Sequence, residues 1–303
     1  MIDFQPVTPD KKESYNRLLL DGRERGCEYS FANLYLWGRQ KGAIIHDHLV
    51  LFSQFSRRSV YPFPVGTGDK AKVIQAIMED AQQRGIPCRL TGLREEDIAL
   101  LEKLYPGKFR FHCDRDSYDY VYSIADLAQL KGRRYQKKRN HCNRFRENFP
   151  YSTAVPLGSE NIGAVEQLVD TWYDVRLRED PQGDYHMERA ALKKALQSFK
   201  TLGMEGLVLM DGQTALAMTL GSPISPNTFD VHFEKALPEA EGAYAAINFE
   251  FARYLQNKYP QLQYLNREDD LGQEGLRKAK LSYYPHHMVE KCWACLLEDG
   301  YAY

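Results

Sequence analysis

The stretch Gly206-Leu-Val-Leu-Met-Asp-Gly-Gln-Thr-Ala-Leu-Ala-Met-Thr-Leu-Gly221 sets an Asp-Gly pair between two apolar runs. Glycine accepts the positive φ that a two-residue turn imposes, so the pattern predicts a β-hairpin. Outward from it, Asn227-Thr-Phe-Asp-Val-His-Phe-Glu234 reads as a third strand and residues 242–259 as a long helix. Residues 262–266 follow as a short strand, 273–283 as a closing helix and 288–297 as a strand region. The order β-β-β-α-β-α-β predicts a mixed, largely antiparallel sheet with helices against it.

Upstream, the first 125 residues alternate the same signals. Residues 43–46 and 49–55 flank a short turn, as in a hairpin. Residues 69–84 carry Val73, Ile74, Ile77 and Ala81 at helical spacing. Strands are expected at 88–91, 109–112 and 118–122, with a helix at 94–105. Both halves thus run helix, hairpin, strand, helix, strand, helix, strand, which predicts a duplicated module. At 303 residues the chain is about twice the usual domain size of ~150, in keeping with two modules. We place the first at 1–125 and the second at 126–303, joined by one basic helical stretch at 124–149.

Composition narrows the function classes. Apolar residues make up 43% of the chain, enough for a sizeable core, yet no run approaches the roughly 18 residues that span a bilayer. The N-terminus lacks the basic and apolar regions of a secretion signal, so a cytoplasmic, soluble protein is expected. The six cysteines have scattered spacing, which argues against a disulfide framework. Cys292-Trp-Ala-Cys295 is a single C-x-x-C with no second pair and no histidine at ligand spacing, so packing is the preferred reading over zinc or redox chemistry. No metal site is expected.

Charge is concentrated in two distant segments. Between Lys131 and Arg146 there are eight Lys or Arg and no acid, in a chain whose formal net charge is only −1. Such focused charge meets a phosphate or another anion, and the competing reading is a solvated face. The second segment, Asn266-Arg-Glu-Asp-Asp-Leu-Gly-Gln-Glu-Gly-Leu-Arg-Lys-Ala-Lys280, is acidic and then basic. Asp270 followed by Gln273 fits a helix cap, which accounts for one of its acids without any chemistry.

Together with Tyr122-Ser-Ile-Ala-Asp-Leu127 these two segments resemble the soluble C-terminal domain of phosphatidylglycerol lysyltransferases, and more closely a stand-alone bacterial branch of that family. The likeness covers nearly the whole chain. It implies two tandem acyltransferase modules of the GNAT type, an α/β fold shared with the Fem-type transferases that use aminoacyl-tRNA. In the lysyltransferases an aminoacyl group passes from tRNA to a lipid headgroup hydroxyl. This chain has no counterpart of their transmembrane flippase region, so the acceptor stays open: an anionic lipid headgroup or a small amine. Where a coenzyme A enzyme would carry Q/R-x-x-G-x-G/A, the sequence reads Glu239-Ala-Glu-Gly-Ala-Tyr-Ala245, and only Gly242 fits.

The candidate site residues follow. On the third strand the period of two puts Asp230, His232 and Glu234 on one face, with Phe229, Val231 and Phe233 on the other. His232 and Glu234 are candidates for moving a proton, and Asn248 on the next helix could complete that surface. Asp269 is a candidate for an ammonium group, Lys280 for an oxyanion. Arg134, Lys138, Arg139 and Asn140 in the basic segment, with Arg267, Glu268 and Arg277, are candidates for holding an anionic donor. An aminoacyl ester is already activated, so transfer needs positioning, deprotonation of the acceptor and oxyanion stabilisation, and no bound cofactor. The expectation is an aminoacyl transferase whose donor is aminoacyl-tRNA, with its site in the second module and the first module degenerate. The alternatives are a coenzyme A dependent N-acyltransferase and a non-catalytic module that binds tRNA or an anionic headgroup.

Overall fold

The Asp-Gly turn forms as its sequence predicts: Asp211 pairs with Thr214 across it and Gly212 takes φ +57°. In the computed structural model, residues 1–20, 23–55 and 58–297 are described. In chain order the first elements are β1 (Gln5–Pro6), α1 (Lys12–Leu19), α2 (Phe31–Trp37), β2 (Gln40–Ile45), β3 (His48–Phe55), β4 (Arg58–Pro62), β5 (Val65–Gly66), α3 (Lys70–Arg84), β6 (Arg89–Leu93), α4 (Glu95–Leu104) and β7 (Phe109–Cys113). Next come β8 (Asp119–Ser123), α5 (Ile124–Gln129), α6 (Gln136–Asn148), β9 (Thr153–Pro156), α7 (Ile162–Glu179), α8 (His186–Leu202), β10 (Glu205–Asp211) and β11 (Thr214–Ser225). The chain ends with β12 (Thr228–Ala236), α9 (Ala243–Lys258), β13 (Tyr264–Asn266), α10 (Glu274–Leu281), β14 (His287–Val289) and β15 (Cys292–Leu296).

Two compact units result. The first comprises Met1–Tyr120, Asp269–Lys278 and the chain from Met288 onward; the second comprises Val121–Glu268 and Ala279–His287. The sequence reading assigned the whole chain after 125 to the second module, and of that span residues 298–303 lie outside the described residues. The difference has a simple cause. A short apolar strand can be recognised locally, but nothing in its own pattern says which sheet it joins, and β15 inserts between β6 and β7 of the first unit.

The first unit's sheet runs β1-β2-β3-β4-β6-β15-β7, with β5 paired to β3. Asp69 caps α3 by accepting from the backbone N–H of Ala71, and Gly85 ends the helix in the left-handed region. Between these stops Val73, Ile74, Ile77 and Ala81 form one stripe, packed with Val50, Tyr61, Leu90, Phe109 and Ala294. Each valine, isoleucine, leucine or phenylalanine among them contributes roughly 1.5–3 kcal/mol on leaving water. Cys113 and Cys292, opposite each other on β7 and β15, are joined by a disulfide. This corrects the expectation that scattered cysteines pack without disulfides: spacing along the chain could not pair two residues 179 positions apart.

The second unit's sheet runs β14-β8-β13-β12-β11-β10-β9. All its pairings for which a register is given are antiparallel except β12 with β13. Phe229 of β12 meets Phe251 of α9, and Lys235 of β12 lies over the Trp172 ring of α7 at 3.6 Å. The expected single helix over 124–149 is instead two, α5 and α6. Leu130 and Gly132, at φ +47° and +84°, turn the chain between them, and left-handed residues cannot continue a right-handed helix.

Candidate functional site

The second unit's parallel pair is short. Thr228, Phe229 and Asp230 of β12 lie beside Tyr264, Leu265 and Asn266 of β13, and there the pairing stops. β13 ends at Asn266 while β12 runs on to Ala236, so the rest of β12 has no β13 partner. Side chains bridge the two segments twice beyond that point. Arg267 Nη2 donates to Glu234 Oε1 at 2.9 Å, and His232 Nδ1 lies 3.3 Å from Glu268 Oε1.

A β-bulge sets this arrangement. In the β11–β12 ladder Gly221 pairs with Val231 and Leu220 with Phe233, which leaves His232 as the extra residue. A Cβ on Gly221 would sit 2.1 Å from the carbonyl oxygen of Asp230, so only glycine allows the strands this close. The expected single row of Asp230, His232 and Glu234 is therefore broken. Phe229 and Lys235, both odd-numbered, reach different helices, and Glu234 pairs with Arg267 while Asp230 and His232 stay together.

His232 is the centre of a buried polar group. Its Nε2 is 2.8 Å from Ser222 Oγ, and its Nδ1 is 3.4 Å from Asp230 Oδ2 as well as 3.3 Å from Glu268 Oε1. The Asp230 and His232 side chains are 0% and 1% exposed and that of Glu268 is 24% exposed, so the group opens to solvent on the Glu268 side. Ser222 was not anticipated from the sequence; the glycine before it is the one sign that the strand is irregular there.

The turn that aims Arg267 and Glu268 is firmly held. Glu268 adopts φ +58°, its N–H donates to Asn266 Oδ1 at 2.7 Å, and the Lys280 ammonium donates to the carbonyls of both Arg267 and Glu268. Lys280, expected as an oxyanion donor, is thus a positioning residue for the turn. Tyr122 donates its hydroxyl to the Lys280 carbonyl, which ties the same segment to β8.

Beside this turn two cations meet on one ring. Lys138 Nζ sits 3.7 Å from the centre of the Tyr283 ring and the Arg267 guanidinium 5.0 Å from it. Burial, with help from Arg267, lowers the Lys138 pKa to about 8. Lys138, Arg267 and Glu234, three of the sequence candidates, therefore converge, and the unanticipated Tyr283 joins them.

Much of the basic segment is engaged locally. Arg134 pairs with Asp126 at 2.8 Å and stacks over Tyr135 and Tyr284; Arg139 donates to the carbonyls of Leu130 and Gly132 and so fastens the α5–α6 turn. Arg144 and Arg146 pair with Glu241 and Glu250. Lys131, Arg133, Lys137 and Asn140 are exposed. Asn248 is buried in α9, its amide oxygen without a partner among the described residues.

The remaining two candidates, Asp269 and Arg277, belong to the first unit. Arg277 donates to both carboxylate oxygens of Asp270 at 2.8 Å and to Asp116. Those bonds hold the fully buried Asp270 carboxyl well below its usual range, and Tyr120 and the Gly272 N–H add to the effect. Arg277 is accordingly bound to protein carboxylates. The first unit also contains a group of Cys27, Glu28 and Asp119, of the type that can ligate a cation, as Asp230, His232 and Glu268 can. There the Lys291 ammonium contacts Asp119, Glu28 at 3.0 Å and Cys27 Sγ at 3.4 Å.

The family model described as phosphatidylglycerol lysyltransferase, C-terminal, matches residues 21–295. The chain belongs to that family. A conserved protein of unknown function from Bacteroides thetaiotaomicron is 39% identical, with a TM-score of 0.93 over 98% of this chain and 100% of that one. The L-PGS structure from Bacillus licheniformis shares the fold at 17% identity and a TM-score of 0.70, covering 98% and 94%. A tandem GNAT protein from the clavulanic acid pathway shares it at 8% identity and a TM-score of 0.51, covering 99% of each chain. An uncharacterized protein of Mycoplasmoides gallisepticum is 24% identical over 179 residues, 58% of this chain and 55% of that protein, so the match spans about half of that relative. The fold is thus the tandem GNAT-like α/β arrangement, two mixed sheets flanked by helices. Among the described residues no helix is long and apolar enough to cross a membrane.

Proposed function

We propose that this protein is an acyltransferase that moves an aminoacyl group from aminoacyl-tRNA to a hydroxyl or amine acceptor, in the cytoplasm, with the second unit as the reacting module. The observation that carries this reading is the opened end of the β12–β13 pair, lined by His232, Glu268, Glu234 and Arg267 and flanked by Lys138. The donor ester is activated, so the protein must supply placement and proton transfer. Lys138 and Arg267 offer two cations to the anionic end of the donor, and the exposed Lys131, Arg133 and Lys137 offer more along its backbone. Removal of the acceptor's proton falls to His232 or a carboxylate beside it. The backbone N–H groups of β12 beyond Asp230, released from pairing with β13, are suited to the oxyanion. The family relation supports a lipid headgroup hydroxyl as one acceptor and leaves a small amine as another.

One observation weighs against coenzyme A as donor. At the start of α9, where a diphosphate would dock, a Cβ on Gly242 would lie 2.2 Å from the His141 carbonyl oxygen. That glycine serves close packing of α9 against α6, and Glu241 beside it is paired with Arg144. The test is incubation of the purified chain with charged tRNA pools and with lipids, peptides and small amines, followed by mass spectrometry of the products. Aminoacylated acceptor, and tRNA binding that weakens steeply with salt, are expected. Absence of salt-sensitive tRNA binding, together with a co-purified thioester, overturns the reading in favour of coenzyme A. Binding without any product leaves a recognition module.

A further inference from the structure

We propose that Asp230, His232 and Glu268 form a binding site for a divalent metal ion of the zinc class. The ligand atoms of the three side chains lie within 4.8 Å of one another, two of them from β12 and the third from the turn that follows β13. His232 Nδ1 faces both carboxylates, at 3.4 Å from Asp230 and 3.3 Å from Glu268. These separations are long for charge-assisted hydrogen bonds, which are about 2.7–2.9 Å. They equal the spacing of neighbouring ligands around a tetrahedral ion with bonds near 2.0 Å, which is about 3.3 Å.

The other side of the imidazole agrees. Ser222 Oγ is 2.8 Å from Nε2, where it can accept the Nε2–H and leave the Nδ1 lone pair for an ion. Two carboxylates and a neutral imidazole give a net charge of −2, which suits a dication in a buried place. Glu268, 24% exposed, gives the ion a way in and leaves a fourth position for water. Such a water ionises near neutral pH, so an occupied site would supply the base in place of the His232 imidazole. The sequence pointed elsewhere because Glu268 stands 36 positions from His232 and no spacing rule joins them.

The inference does not rest on the acyl-transfer reading, since its test uses no substrate. The full chain, stripped with a chelator and checked for fold by circular dichroism, is titrated with Zn²⁺ by calorimetry and with Co²⁺ by visible absorption. One ion per chain and a tetrahedral cobalt spectrum are expected. Ser222→Ala should weaken zinc about 10–100-fold, as loss of a group that orients a ligand does, and Glu268→Gln at least as much. A His286→Ala/His287→Ala variant, which removes the one adjacent histidine pair, should bind as before. No saturable zinc binding, or binding that Glu268→Gln and Ser222→Ala leave unchanged, overturns the proposal.

Discussion

The crossover β4–α3–β6 of the first unit and the crossover β12–α9–β13 of the second each join two parallel neighbouring strands through a helix, yet they are filled differently. In the first, pairing of Tyr61 with Leu90 and of Pro62 with Thr91 is extended by the Phe63 N–H, which donates to the Thr91 carbonyl at 2.8 Å. Tyr29 then sets its hydroxyl on the Phe63 carbonyl, and Tyr61, Phe63 and Leu90 are buried there. In the second, pairing ends at Asp230, and the residues beyond it are His232, Glu234, Arg267 and Glu268. Aromatic and aliphatic side chains fill the paired end of the first crossover, with Lys70 over the Phe63 ring at 5.7 Å and Arg25 over the Tyr29 ring at 5.4 Å, whereas His232, Glu234, Arg267 and Glu268 follow the paired end of the second.

The buried charge clusters repeat the contrast. In the first unit the Lys291 ammonium touches Cys27, Glu28 and Asp119; in the second the group facing both carboxylates is an imidazole nitrogen. A lysine so placed is a fixed part of the fold, and removing it strands buried carboxylates. Lys291→Met should therefore lower the unfolding free energy by about 3–5 kcal/mol in urea titrations, the cost of breaking a buried ion pair from one side. Glu268→Gln, at a partly exposed carboxylate, should cost far less than that. Equal losses from the two substitutions would erase the distinction between a structural and a functional cluster.

The contrast also marks what could be read from sequence. The Asp-Gly hairpin, the capped helix α3 and the paired β-α-β order are local signals, set by turn chemistry and apolar period, and they were legible. His232 and Glu234 stand out as charged residues on an otherwise apolar strand, and Arg267 as part of the charged segment 266–280, and the structure brings these three side chains near one another. Their grouping was not found. A period of two assumes an unbroken pleat, and the extra residue at the bulge sends Glu234 to Arg267 and keeps Asp230 with His232. Lys280, expected at the oxyanion, and Arg139, expected on the donor, instead donate to carbonyls of left-handed turns, which an ammonium or guanidinium in a sequence does not reveal. The Cys113–Cys292 pair and the return of β15 to the first unit depend on topology, which no local window contains.

A second measurement sharpens the comparison through pH. Lys138, beside Arg267 and on the Tyr283 ring, has its folded pKa lowered from 10.5 to about 8, chiefly by burial. Below pH 8 both folded and unfolded chains carry the charge. Between about 8 and 10.5 the unfolded chain binds the extra proton, so stability rises with pH across that window. Anion binding should run the opposite way, with the cationic fraction of Lys138 falling toward tenfold per pH unit above 8. Affinity for inorganic phosphate measured from pH 7 to 10 should drop in the native chain, and Lys138→Met should flatten that part of the profile. An unchanged profile in the variant would remove Lys138 from anion binding. Lys291 should show no such dependence, because the carboxylates around it hold its charge well above the ordinary lysine range.

The smallest effect on stability is expected at Arg134, and it separates holding a fold from holding a donor. Its ion pair with Asp126 has both side chains about half exposed, at 50% and 44%, so water and salt screen most of the attraction. Arg134→Ala should change the unfolding free energy by no more than about 1 kcal/mol. If the basic segment meets tRNA, the same substitution should weaken tRNA binding and reduce the slope of log affinity against log salt by about one, the signature of one lost phosphate contact. A loss of stability with an unaltered slope would instead make Arg134, like Arg139, a fastening for the α5–α6 turn. The exposed Lys131, Arg133 and Lys137 would then be left as the donor's contacts on this segment.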